Sequence, residues 1–211
     1  MDSLGSPTEK INSQVLSLLT SRRSVRHFQN IAVKRELVEQ VLDLACWAPS
    51  AHNEQPWRFV VIENQLLRQR FAQALADEYQ KDLLKQGHPA GEIKERVIRS
   101  QTRIIEAPVA IVLCLAQEDV PIMTSPHLQE EEHILAIQSA ALAGGYLLLA
   151  AKAVGLASVW MCAPLYAQEI TCQVLDIPSN WLPQALLLLG YAAHEPPAPA
   201  RKPIQDIARF L

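Results

Sequence analysis

Residues 109–116 read Val109-Ala110-Ile111-Val112-Leu113-Cys114-Leu115-Ala116, a run without a charged or amide side chain. A strand with one face in water alternates apolar and polar residues, whereas an unbroken aliphatic run marks a strand covered on both faces. The run is far too short to cross a membrane and has the usual length of a strand. It therefore predicts a central strand with helices layered on either side.

The flanks supply those helices. Upstream, 66–87 and 89–106 carry charged residues in a helical rhythm, which predicts two helices with one face in solvent. Before them, Arg58-Phe59-Val60-Val61-Ile62-Glu63 is short and β-branched and reads as a strand. A helix over 34–47 puts Leu37, Val38, Val41, Leu42 and Ala45 on one side and cannot pass Pro49. A first helix, 10–21, has Ile11, Val15, Leu18 and Leu19 at helical spacing. Downstream, 134–154 is long and rich in Leu and Ala. Gln138, Ser139, Lys152 and the pair Gly144-Gly145 interrupt the apolar run that a membrane span needs, so it reads as a helix buried in the core or at a subunit interface. A strand over 157–162, a helix over 167–175 and a strand over 185–192 complete the pattern. From His194 onward, Pro196, Pro197, Pro199 and Pro203 forbid a regular helix or central strand, leaving 194–211 as an extended arm.

No internal repeat or linker divides the chain, which predicts one domain over 1–211. Helices and strands mix without strict alternation, so the expected class is α+β, with helices around a small central mixed sheet. With 211 residues, 49% of them hydrophobic, a full core is affordable, and disorder is excluded. A formal charge of -3 gives no general attraction to nucleic acid or anionic lipid, so no nucleic-acid or membrane partner is expected and any basic cluster is local. Cys46, Cys114, Cys162 and Cys172 lack the close spacing of a zinc site and read as buried free thiols. The start, MDSLGSPTEK, has neither the basic residues nor the apolar run of a secretion signal, and a cytoplasmic location is expected. His127 and His133 beside Glu130, Glu131 and Glu132 read as the charged start of a helix, and no metal is expected.

Three segments carry candidate chemistry. Arg22, Arg23 and Arg26, with Ser24 among them, follow directly on a helix. Planar guanidinium groups bind two phosphate oxygens together, and charge-assisted hydrogen bonds exceed neutral ones in strength. A solvated basic turn accounts for the cluster equally well when it is taken alone. The loop 48–57, APSAHNEQPW, gathers Pro49, Ser50, His52, Asn53 and Gln55. Its amides both donate and accept, which suits the edge of a heteroaromatic ring; it is also a polar turn with Trp57 anchored in the core. In the arm, Arg201-Lys202 brings charge that suits a phosphate or belongs to an ordinary basic tail. No nucleophile elbow or glycine-rich phosphate loop occurs. Gly144-Gly145 reads as a close-packing point, and Cys162, ending an apolar strand, as a buried thiol.

The segments RRSVRHF, APSAHNEQPWRFVVI, AGGYLLLAAKAVGLAS and PPAPARKPIQD, in this order, resemble the nitroreductase family of flavin enzymes over nearly the whole chain. The stretch DLLKQGHPAGEIKERVIRSQTRIIEAPVAIVL is also similar to the flavin domain associated with deazaflavin-coenzyme biosynthesis. The resemblance implies bound flavin mononucleotide (FMN). Arg22, Ser24 and Arg26 would meet its phosphate and ribityl chain, Arg23 would contribute its backbone, and Arg201 would close on the phosphate. Pro49, Ser50 and Asn53 match a loop that lies against the flavin from the partner subunit, with Gln55 and Trp57 supporting it. The backbone amide of Cys162 or Ala163 would face flavin N5. An intertwined homodimer is implied, with two interfacial flavins and the arm over the neighbour. So is ping-pong transfer of hydride from NAD(P)H to a small electron acceptor such as a nitroaromatic or quinone. The chain departs from the pattern at Ala51 and His52, where relatives often carry a hydroxyl residue, and at Cys162-Ala163-Pro164, where an acidic residue is usual. Two alternatives stand beside this reading: a biosynthetic reductase acting on a deazaflavin precursor, and a non-catalytic flavin-binding protein.

Overall fold

Four strands, β1 (Trp57–Val61), β2 (Val109–Ala116), β3 (Ala157–Met161) and β4 (Trp181–Gly190), form one sheet in the order β1-β2-β4-β3 in the computed structural model, which describes residues 12–211. Every residue of β2 is buried, as its uninterrupted apolar character predicts. The pleat sends alternate residues to opposite faces. Ile111 and Leu113, with Leu187 and Leu189 of β4, pack under helices α2 (Arg35–Ala45) and α5 (Pro126–Ala153), meeting Val41, Ala143 and Leu147. Ala110, Val112 and Cys114 face the other way, where α3 (Gln65–Lys85), α4 (Ala90–Glu106) and α7 (Gln168–Leu175) contribute Phe71, Leu75, Ile104 and Leu175.

The α+β class is as expected, but the four strands pair only antiparallel; among the described residues the parallel element is a single bridge between Ser24 and Ser158. β4 starts earlier than the anticipated 185 and contains Pro183. The β2–β4 register shifts between Leu113 and Cys114, where Ala185 and Pro183 are the partners, so a bulge accommodates the ring and its missing N–H. α5 likewise begins well before 134, at Pro126, a residue suited to the first turn of a helix. By length and composition alone α5 does qualify as a membrane span, contrary to expectation; Ala140, Ala143, Leu147 and Ala151 are nonetheless wholly buried within the core. The short helix α6 (Ala163–Tyr166) was not anticipated.

Helix α1 (Ser13–Ser21) starts at the cap Asn12, whose side chain accepts from the Gln14 and Val15 amides; Lys10 and Ile11, expected within it, lie outside the described residues. The cysteines are not uniformly buried: Cys46 and Cys162 are exposed, Cys172 is half-buried and only Cys114 is enclosed. Burial pushes the Cys114 thiol up to about 12, with a smaller contribution from Cys172, so it stays protonated. The arm from 194 is mostly extended and exposed, with one short helix, α8 (Ile204–Ile207).

Candidate active site

At Arg22 the backbone leaves the helix for an extended conformation, φ -59 and ψ 134. The Arg23 guanidinium folds back and donates to the carbonyls of Thr20 and Arg22, at 2.6 and 2.9 Å, satisfying groups that a helix end leaves open. Ser24 bridges Ser158 on edge strand β3, and the Val25 amide donates to the Ser158 carbonyl at 3.0 Å. Val25 is buried and Arg26 exposed. An extended chain rises roughly 3.3 Å per residue, so Arg22 and Arg26 stand up to about 13 Å apart along it. That spread suits a phosphate joined to a chain and ring better than a lone ion. Arg22, Arg26 and Arg201 have no ion pair among the described residues, and a groove containing Arg22 and Arg23 also holds Lys152 and Glu195. Lys152 pairs with Glu195 at 3.0 Å; that hydrogen bond and charge, with a smaller pull from Arg23, hold the Glu195 carboxyl below its usual range.

Arg26 also borders a cleft of about 750 Å³ between the α3–α4 pair and the corner where β3 runs into α6. Clefts of that size hold small ligands and cofactors. Trp160 and the Cys162-Ala163 corner line it; the Trp160 indole donates to Cys162 Sγ at 3.3 Å. Cys162 is exposed, against the sequence expectation, because α6 turns the chain away directly after it. Its carbonyl accepts from Leu165, and the Ala163 amide, first in α6, has no acceptor within that helix. The Ala163 amide is therefore an open donor at this corner.

The loop before β1 is built differently. The Ala51 amide donates to Ser139 Oγ on α5 at 3.1 Å, and Ser139 donates onward to the Leu135 carbonyl. The Gln55 amide donates to Ser50 Oγ at 3.1 Å. His52, Asn53 and Gln55 all adopt left-handed conformations, with φ of 51, 58 and 51, so the turn is held by its anchors. Trp57 is buried, while Pro49 and Asn53 face solvent.

Within one chain these pieces do not meet. The loop adjoins Trp57 on edge strand β1, paired with Leu115, whereas Ser24 adjoins Ser158 on the opposite edge, paired with Leu189 at the far end of β4. Arg201 is exposed, its guanidinium donating only to the Pro199 and Ala200 carbonyls among the described residues. Sequence reasoning missed Tyr79, Arg99 and Arg103, which line the cleft. The signal was present: Arg96, Arg99 and Arg103 recur three and four residues apart, on one helix face.

The charge, reach and free amide of these residues fit the flavin mononucleotide that the resemblance implies. A profile of the nitroreductase family matches residues 19–191. A protein of Methanothermobacter thermautotrophicus, provisionally named NADH dehydrogenase/NAD(P)H nitroreductase, is 29% identical over 184 residues, 86% of this chain and 79% of that protein. The 5,6-dimethylbenzimidazole synthase of Rhodospirillum rubrum is 30% identical over 198 residues, 87% of this chain and 84% of that protein. Among solved structures, a provisionally assigned nitroreductase of Desulfovibrio desulfuricans in complex with FMN superposes with a TM-score of 0.71 at 25% identity, covering 95% of this chain and 98% of that one. Since the matched profile runs from the last turn of α1 past the end of β4, taking in the arginine segment, the loop and all four strands, the chain belongs to the nitroreductase family.

Proposed function

We propose that the chain is an FMN-dependent oxidoreductase that passes hydride from NAD(P)H to a small electron acceptor by a ping-pong mechanism. It works as an intertwined homodimer of single-domain chains. The observation that carries this is the row Arg22, Ser24 and Arg26 along edge strand β3, its arginines without counter-ions among the described residues, leading to the cleft that ends at Cys162 and Ala163. Bound FMN would supply reversible two-electron chemistry, so the protein's task is to bind, orient and shield.

Arg22 and Ser24 hold the phosphate, Arg26 the chain and ring side, and Arg23 fixes the turn through its bonds to the end of α1. The amide of Cys162 or Ala163 donates toward the reacting edge of the ring. The loop with Pro49, Ser50 and Asn53 comes from a second copy, because its own sheet edge lies opposite the arginines. Arg201 closes on the phosphate. Surfaces for the second copy are at hand: Val15, Leu16 and Leu19 on α1, and Leu142 and Tyr146 on α5, are exposed apolar residues, as are Phe210 and Leu211 of the arm.

Arg26→Ala tests the cofactor assignment. Loss of one charge-assisted contact is expected to weaken FMN binding by about 1.5 to 3 kcal/mol in a titration of the apoprotein. Unchanged affinity would count against the site.

A further inference from the structure

The face of α4 that borders the cleft carries more positive charge than it has internal partners. Arg96 is committed to Glu92 on its own helix, at 2.5 Å. Glu78 and Asp82 reach the cleft from α3, but Lys81 and Lys85 of that helix hold them at 2.6 and 3.6 Å. Arg99 and Arg103 have no acidic partner among the described residues, and Arg103 Nε is buried without a hydrogen-bond acceptor. Burial lowers the Arg103 pKa, and the charges of Arg26 and Arg99 lower it further, so three guanidinium groups crowd one space. An unpartnered buried donor and mutually repelling cations cost stability, and an anion placed among them offsets both penalties. Tyr79 and Trp160 add aromatic walls for a planar body.

We propose that Arg99 and Arg103 form a substrate site for the anionic group, phosphate or carboxylate, of a planar molecule that occupies the cleft beside the Cys162-Ala163 corner. The proposal rests on the oxidoreductase reading and names the substrate class of that site. The anionic group belongs either to the acceptor or to the nicotinamide donor, whose NADPH form differs from NADH by one phosphate.

Calorimetric titration of the purified protein distinguishes the two sources. The ligands are 4-nitrobenzoate against its methyl ester, and NADP+ against NAD+, the oxidised nicotinamides that keep the one-phosphate difference and cannot reduce the flavin; the proteins are wild type, Arg99→Ala and Arg103→Gln. Arg99 is exposed, so its variant keeps the fold even if the half-buried Arg103 variant does not. For an acceptor-borne anion, 4-nitrobenzoate affinity falls about ten-fold or more in Arg99→Ala while ester affinity holds. For a donor-borne anion the same loss appears for NADP+ and not for NAD+. Equal affinities for charged and neutral ligands in all three proteins would overturn the proposal. So would a parallel loss of FMN affinity in the variants, since the arginines would then serve the cofactor's own phosphate. Because binding is read without turnover, failure of the redox reading shows separately, as a protein that binds these ligands but never reduces the ester.

Discussion

At Gly144, one methyl group would reach the candidate site. A Cβ there would collide with the Trp160 ring and sit 3.0 Å from Leu113 Cδ2. Alanine is intrinsically better than glycine in a helix by about 1 kcal/mol, but overpacking a filled core costs about 1 to 3 kcal/mol. With the Trp160 ring so close the steric effect wins, and Gly144→Ala is expected to lower the urea-unfolding free energy by up to about 2 kcal/mol. The close-packing role expected of Gly144-Gly145 belongs to Gly144 alone, since a Cβ at Gly145 would meet nothing within 4 Å among the described residues. The exposure of Cys162 was not legible. It depends on how the chain turns at Ala163 and Pro164, a tertiary matter that an apolar strand end does not reveal. The arginines of α4 were readable as a face but not as cleft lining, since nothing in a helical period says what a polar face looks at.

Elements differ in how openly they announce themselves. β2 is defined by its own composition, and the expected and observed bounds coincide. The start of β4 was hidden by Pro183, whose presence needs the bulge opposite Leu113 and Cys114. That start is clamped by Glu118, which accepts from Trp181 Nε1 at 2.9 Å and Asn180 Nδ2 at 2.8 Å, while Arg58 pairs with Asp119 at 2.6 Å. A hydrogen bond from its own backbone amide, chiefly, with the Trp181 indole and the Arg58 charge, holds the Glu118 carboxyl below its ordinary value of 4.5 although burial opposes them. A carboxyl depressed in the folded state stabilises fully above its unfolded value, and that contribution disappears as pH falls through the lower folded value. Stability should therefore decline below pH 4.5, and Glu118→Gln should make the decline shallower in urea midpoints measured across that range. Identical acid dependence in variant and wild type would remove Glu118 from the explanation.

For the whole molecule, the decisive feature is that the arginine segment and the Pro49–Asn53 loop occupy opposite sheet edges. Hydrophobic periodicity carried no trace of this; composition offered a subunit interface only as one of two settings for 134–154, and a shared site entered the sequence reading through the family resemblance. Under the proposed function, a flavin touched by both segments would take them from two chains. Light scattering is expected to give twice the 23.5 kDa of one chain, and a chain ending at Ala193, without the arm and Arg201, is expected to lose FMN and shift toward monomer. An arm-less protein that keeps both its mass and its flavin would refute that role for the arm.

The central claim is tested most directly by the visible absorption spectrum of the purified protein, recorded without oxygen before and after addition of NADPH or NADH. The account predicts an oxidised flavin spectrum that bleaches on addition of the reduced nicotinamide, with flavin mononucleotide recovered on extraction. A colourless protein that also fails to take up added flavin mononucleotide would contradict it.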